Sequence, residues 1–160
     1  MGAPAHNVIL SGSVTKREAI GSGAITPGHL LQLNSTAGQV KVHATSGGDA
    51  APIFARENES IGGKISTAYS SADTVHYFIA HPGAVVYALV AAGASAITVG
   101  DPLESAGDGT LKKHTAKAWD VGVTTSINET QYSAPIVARA LESKDNSGGS
   151  AAVRIRAMII

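Results

Sequence analysis

The stretch "AITPGHLLQL", Ala24 to Leu33, is said nearly twice: it returns as "AITVGDPLES", Ala96 to Ser105. Slid by 72 positions, Ala24, Ile25, Thr26, Gly28 and Leu31 meet Ala96, Ile97, Thr98, Gly100 and Leu103. With one residue removed from the turn that follows, Gly38, Lys41 and His43 meet Gly109, Lys112 and His114. Further on, "APIFARENES" from Ala51 meets "APIVARALES" from Ala134, identical at seven of ten positions. The blocks keep their order, so the chain is read as an internal duplication rather than as Ala/Gly/Ser-rich coincidence. Each copy reads as short strands joined by glycine turns. Ala-Ile-Thr enters, glycine turns the chain, a strand passes through Leu, a second glycine turn leads to a strand ending at His, and Ala-Pro-Ile returns. Glycine tolerates positive φ in such turns. Proline donates no ladder hydrogen bond and belongs at a strand start or edge.

The rest of the chain agrees with strands. "GQVKVHAT" sets Val40 and Val42 against Lys41 and His43. "DTVHYFIA" puts Val75, Tyr77 and Ile79 on one side, "PIVARALES" does so with Ile136, Ala138 and Ala140, and "AAVRIRAMII" opposes Val153, Ile155 and Ala157 to Arg154, Arg156 and Met158. Period two is the mark of a half-buried strand. "HNVILSGSVTKREAI" holds one or two more strands, broken at Gly12. "AVVYALVAA" is ambiguous: Ala and Leu permit a helix, whereas Val85, Val86 and Val90 favour a buried strand, which is the expectation taken. The segment 117–132 is expected to be a long loop or to carry one short helix. The predicted fold is therefore all-β: a compact sandwich or small barrel with a duplicated β motif and at most one short helix. Residues 1–19 are expected to form an N-terminal arm or first strand, and 20–160 a single β domain containing pseudo-repeats at about 20–60 and 92–143.

Composition narrows the function. The chain has 160 residues, with 12 basic and 12 acidic side chains and no cysteine. A neutral chain lacks the basic excess that nucleic acid or an anionic membrane rewards, so neither is an expected partner. Without cysteine there is no disulfide framework, cysteine zinc site or cysteine nucleophile. The opening "MGAPAHNVIL" has no basic region followed by an apolar stretch, and "GAVVYALVAAGA" is shorter than the roughly 20 residues of a membrane helix, so a soluble protein made in a cytoplasm is expected.

No catalytic constellation can be assembled. The six histidines form no His-x-His, His-x-Glu or HExxH pattern. His43 and His114 are equivalent in the repeat and are expected on solvent-facing sides of strands, with a shared metal ion as the alternative. Asp101, Glu104 and Asp108 crowd one copy, but the other copy has His29, Gln32 and Thr36 there, so solvated turn residues are preferred to a calcium site. There is neither a G-x-S-x-G elbow nor a Walker A loop. Trp119 is the one tryptophan, too little aromatic surface for an evident sugar platform.

The blocks "IGSGAITPGHLLQLNSTAGQVKVHAT", "APIFARENES", "YALVAAGASAITVGDPLESAGDGTLKKHT", "APIVARALES" and "AAVRIRAMII" resemble the head decoration (cement) proteins of tailed bacteriophages. The resemblance runs from Ile20 to the C-terminus. It implies a non-enzymatic virion protein without cofactor or metal, made in the bacterial host and bound to the outside of the expanded capsid. It further implies the major capsid protein as partner and a homotrimer that clamps neighbouring capsid subunits. Many weak contacts on one rigid oligomer become strong through effective concentration. Within this frame His6, Asn7, Val8, Ile9 and Leu10 are the candidate capsid-binding arm, able to add a strand to a foreign sheet edge, unless they are simply the first strand of the domain. The apolar ending Met158, Ile159 and Ile160 is the candidate oligomer interface, since a free apolar terminus tucks into a core or a subunit contact. A carbohydrate- or receptor-binding β module on a virion is the alternative function.

Overall fold

The computed structural model describes residues 6–116 and 134–160. The segment expected as loop or short helix, Trp119 included, lies outside the described residues. Eleven strands follow one another: β1 (Ile9–Ser11), β2 (Val14–Gly21), β3 (Leu31–Leu33), β4 (Gln39–Val42), β5 (Ile53–Ala55), β6 (Thr74–Ala80), β7 (Val85–Val90), β8 (Pro102–Ser105), β9 (Leu111–Lys113), β10 (Ile136–Ala140) and β11 (Val153–Ile159). Among the described residues one 3-10 turn, Glu59–Ile61, interrupts them. The ambiguous apolar stretch is strand β7, as its β-branched residues favoured.

The strands form two sheets of the same design. One runs β3-β4-β2-β6-β5; the other runs β8-β9-β7-β11-β10, with β1 added to β7. Taken in chain order, β2 to β6 correspond to β7 to β11, pair for pair. β2 is parallel to β4 and β7 to β9, and every other neighbouring pair is antiparallel. The second sheet closes on itself through Val90 and Leu111. In the first, the outer strands meet at a bridge between Leu30 and Phe54. The product is a pair of small five-stranded barrels, N-terminal and C-terminal: strand ladders close the C-terminal one, whereas the N-terminal one is a sheet of the same strand order whose ends touch only at that bridge.

Interior positions follow period two in both barrels. The N-terminal barrel is filled by Leu31, Val40, Ile53, Ala55, Val75 and Tyr77 with Ile25 and Tyr69. The C-terminal barrel is filled by Val86, Ala88, Val90, Leu103, Leu111, Ala138, Ala140, Ile155, Ala157 and Ile159 with Ile97. β6 departs from simple alternation. Its other face carries Phe78 and Ala80, which join Phe54 and Leu30 in the C-terminal core cluster. Phe54 and Phe78 stack with ring centroids 6.0 Å apart. The two barrels therefore share apolar surface, and burial of these aromatic rings is a large part of what holds them together.

The third block of the duplication keeps its face but not its register. Gly28 N–H donates to Ala55 O and Ala55 N–H to His29 O, at 2.8 and 3.0 Å. In the second barrel Gly100 N–H donates to Ala140 O and Ala140 N–H to Asp101 O, at 2.8 and 2.9 Å. Ala140 thus takes the place of Ala55, whereas the identical letters align Ala138 with it. A register irregularity between Ile136 and Ala138 accompanies the slip. A displacement of two residues preserves the inward face, so the core tolerates it.

Candidate functional site

The surfaces open to a partner are decided by how the two barrels meet. The turn Thr26–His29 of the N-terminal barrel is pressed against β7 and β11. Leu89 N–H donates to Gly28 O at 3.2 Å, and Arg154 Nη2 donates to Pro27 O at 2.8 Å and to Ile65 O at 2.5 Å. Arg154 Nη1 also donates to Tyr87 O, and its guanidinium lies 5.8 Å from the Tyr87 ring centroid. In return, the C-terminal barrel lends the turn at Gly109, whose carbonyl accepts from Leu30 N–H at 2.7 Å. β1 stitches the halves: Ile9 and Ser11 pair with Val86 and Val85, Val8 O accepts from Tyr87 N–H at 2.8 Å, and Val8 N–H donates to Glu57 Oε2 at 3.2 Å.

Of the candidate arm, Val8 is fully buried, Ile9 and Leu10 are half-buried, and His6 and Asn7 are exposed. Val8 to Ser11 is therefore occupied within its own chain, and the part open to a partner shortens to His6 and Asn7. At the other end, Ile159 is 1% exposed in the C-terminal core. Its N–H donates to Ala84 O and its carbonyl accepts from Gly83 N–H, both at 2.9 Å. Ile159 is thus a core residue. Met158 is half-buried and Ile160 is 50% exposed, so these two remain open to a subunit contact.

Of the histidines and carboxylates singled out in the sequence, His43 serves the junction and the others bond within their own barrel. His43 is buried, not solvent-facing, because β4 runs on into the barrel contact. Its Nε2 donates to Asp49 O at 3.0 Å, since a carbonyl can only accept, and its Nδ1 lies 2.8 Å from Ser105 Oγ of the other barrel. His114, its equivalent, sits 2.5 Å from Glu104 Oε2 instead. Glu104 is a buried carboxylate, and it is compensated by His114 and by Lys112 at 3.4 Å, as a charge in an apolar setting requires. Asp108 Oδ1 accepts from Thr110 N–H at 3.0 Å. No cluster of three metal-ligating side chains occurs among the described residues, and no helix among them is long and apolar enough to cross a membrane.

The repeated Ile-Thr-x-Gly turn solves one problem twice. The Thr26 amide donates to His29 Nδ1 at 3.1 Å, and the Thr98 amide donates to Asp101 Oδ2 at 2.8 Å. In the buried copy, desolvation holds His29 below its ordinary pKa, which keeps the ring neutral and Nδ1 free to accept. In the outer copy the Thr98 amide and Lys113 at 2.9 Å bring Asp101 down to about 2. The chemistry at this position follows the turn's neighbours: a neutral acceptor where the turn is pressed on the other barrel, a charged one where Lys113 stands beside it.

Open ground remains on β2. Lys16, Arg17 and Glu18 are exposed, and with Arg56 and His76 they line a shallow trough of about 310 Å3. His76 Nδ1 is 3.7 Å from Glu18 Oε1, and Arg56 Nη1 is 3.5 Å from Glu59 Oε2. Sequence reading passed over this trough because it combines β2 with β5 and β6, from distant parts of the chain.

The fold resembles that of a phage head-fibre base. The solved structure is "The crystal structure of head fiber gp8.5 N base in bacteriophage phi29", with a TM-score of 0.55 and 14% identity over 92% of this chain and 95% of that one. At that identity the likeness establishes the fold alone. No protein-family model matches the chain, and no curated protein matches it.

Proposed function

We propose that this chain is a structural protein of a phage virion, carried on the outer surface of the head and bound to the major capsid protein as a homotrimer that stabilises the expanded shell. The observation that carries this reading is the likeness to the phi29 head-fibre base, which spans 92% of the chain and so extends over both barrels. The block pattern from Ile20 onward supports it as well, because it resembles that of cement proteins. The chemistry is compatible: His29, His43, Asp101, Glu104 and Asp108 are engaged in turns and hydrogen bonds within the chain, and two β units that share buried aromatic surface make a body suited to bridging subunits.

Purified protein mixed with expanded heads lacking it, then sedimented, tests the reading. Saturable co-sedimentation, with added resistance of the heads to heat or chelator, is expected. Protein that stays in the supernatant at every concentration would overturn it. Light scattering of the free protein tests the trimer separately.

A further inference from the structure

The duplication supplies a template for what is absent from the N-terminal barrel. β7 carries β1 along its outer edge, at Val85 and Val86, with Val8 O on the Tyr87 amide. β2 is its counterpart. On β2, Gly21 N–H points to β6, donating to Asp73 O, whereas Ile20 and Ser22 N–H point the other way, to Gly38 O and Val40 O. Strand alternation then sends the N–H and C=O of Lys16 and Glu18 to that same outer edge. β4 pairs only with Ile20 and Gly21, so among the described residues the edge at Lys16 and Glu18 has no strand on it. Among them, the position that β1 fills on β7 has no counterpart on β2.

The vacant edge forms one wall of the open trough, and the trough has its own chemistry. Among the described residues Lys16 and Arg17 have no ion-pair partner, and the Nε of Arg56, buried at its side, has no hydrogen-bond partner. Against these cations the lining sets one carboxylate, Glu18, so the trough carries an excess of positive charge. Unpaired edge groups accept an extended strand from another chain through main-chain hydrogen bonds, while side chains give selectivity.

We infer that β2 is an acceptor edge: an extended segment of the capsid protein bearing a carboxylate side chain adds alongside Lys16–Glu18, as β1 adds to β7, with its carboxylate beside Lys16, Arg17 and Arg56. This rests on the capsid-binding reading above and names the surface that reading leaves open. The added strand takes the backbone groups of Lys16 and Glu18, and the carboxylate meets Lys16 and Arg17, the cations that have no ion-pair partner among the described residues. The alternative role of such charges is to keep strands away from an open edge, and experiment separates the two.

Hydrogen exchange of the wild-type protein, free and bound to expanded heads, reads the edge directly. The amides of Lys16 and Glu18 are expected to exchange fast in the free protein and to become protected on the head. Lys16→Pro removes an N–H that no strand among the described residues uses, and Lys16→Glu with Arg17→Glu reverses the charge. Each is expected to bind heads about tenfold or more weakly with the melting temperature little changed, since one lost hydrogen bond or charge contact is on that scale. Heads saturated with wild-type protein whose Lys16 and Glu18 amides stay unprotected would overturn the inference, as would both variants binding like wild type. If a variant does not fold, exchange on the wild type decides. Failure of the wild type to bind any head would instead overturn the capsid reading itself.

Discussion

β2 and β7 occupy the same place in two barrels of the same topology, yet one reads "VTKREAIG" and the other "VVYALV". The difference is what lies beside them. β7 is covered by β1 and by the Gly28 turn, so its residues are buried or half-buried; β2 faces water, and its middle is charged. The Ile-Thr-x-Gly turns diverge in the same way: Pro27 and Gly28 are buried against the other barrel, whereas Thr98, Val99 and Gly100 are exposed. Duplication has preserved topology, and each copy's surroundings have rewritten its surface. A repeat within one chain is thus a comparison of burial at constant fold.

Paired substitutions turn that comparison into numbers. The largest contrast is at the C-terminus. Ile159→Ala should cost about 2–5 kcal/mol by emptying a core site, and Ile160→Ala should change monomer stability by less than about 0.5 kcal/mol, both read by chemical denaturation. Equal effects would mean that β11 does not end in the core. Gly28 and Gly100 come next, with φ of +94° and +88°. A Cβ on Gly28 would lie 2.5 Å from Arg154 Nη1 and 3.0 Å from Tyr87 O, whereas one on Gly100 meets nothing within 4 Å. Gly100→Ala should cost about 1 kcal/mol from backbone strain alone, and Gly28→Ala about 2–4 kcal/mol with the added crowding. A matching loss at both would show that the junction gives way easily.

Arg154 and Arg156 offer a smaller contrast on one strand. Arg154→Ala strips hydrogen bonds from Pro27, Tyr87 and Ile65 carbonyls and should cost about 1–3 kcal/mol. Arg156 is exposed and pairs loosely with Glu142 at 3.9 Å, so its alanine variant should cost under about 1 kcal/mol. The smallest effect is in pH. His29 is held below its ordinary 6.5 in the folded state, so the unfolded chain binds more protons below that value, and stability is lost as pH falls from 6.5 toward the folded pKa. Asp101, ordinarily 3.8 and folded at about 2, loses its contribution only as pH falls through that lower range. Melting temperature followed against pH should show the first step disappear in His29→Gln while the second remains. A first step unchanged by that substitution would assign it elsewhere.

The fold class was legible because period two and paired glycine turns are written locally, and because "AITPGH" and "AITVGD" announce the duplication. The strands beyond the matched blocks were legible as strands but not as copies. β2 and β7 share almost no residues, since one is an open edge and the other a covered one. His43 was misjudged from alternation, which gives a face but not what covers it; the covering residue, Ser105, is 62 positions away in the chain. The trough on β2 was invisible for the same reason, while Val8 and Ile159 were left between two readings, since their apolar character fits a core and an interface equally well.

Whether this is a head protein is tested most directly by quantitative mass spectrometry of gradient-purified particles from a lysate carrying the gene. The account predicts co-purification in a fixed, high ratio to the major capsid protein that survives repeated banding. A few copies per particle would move the protein to a tail or vertex, and absence from particles would contradict the account outright.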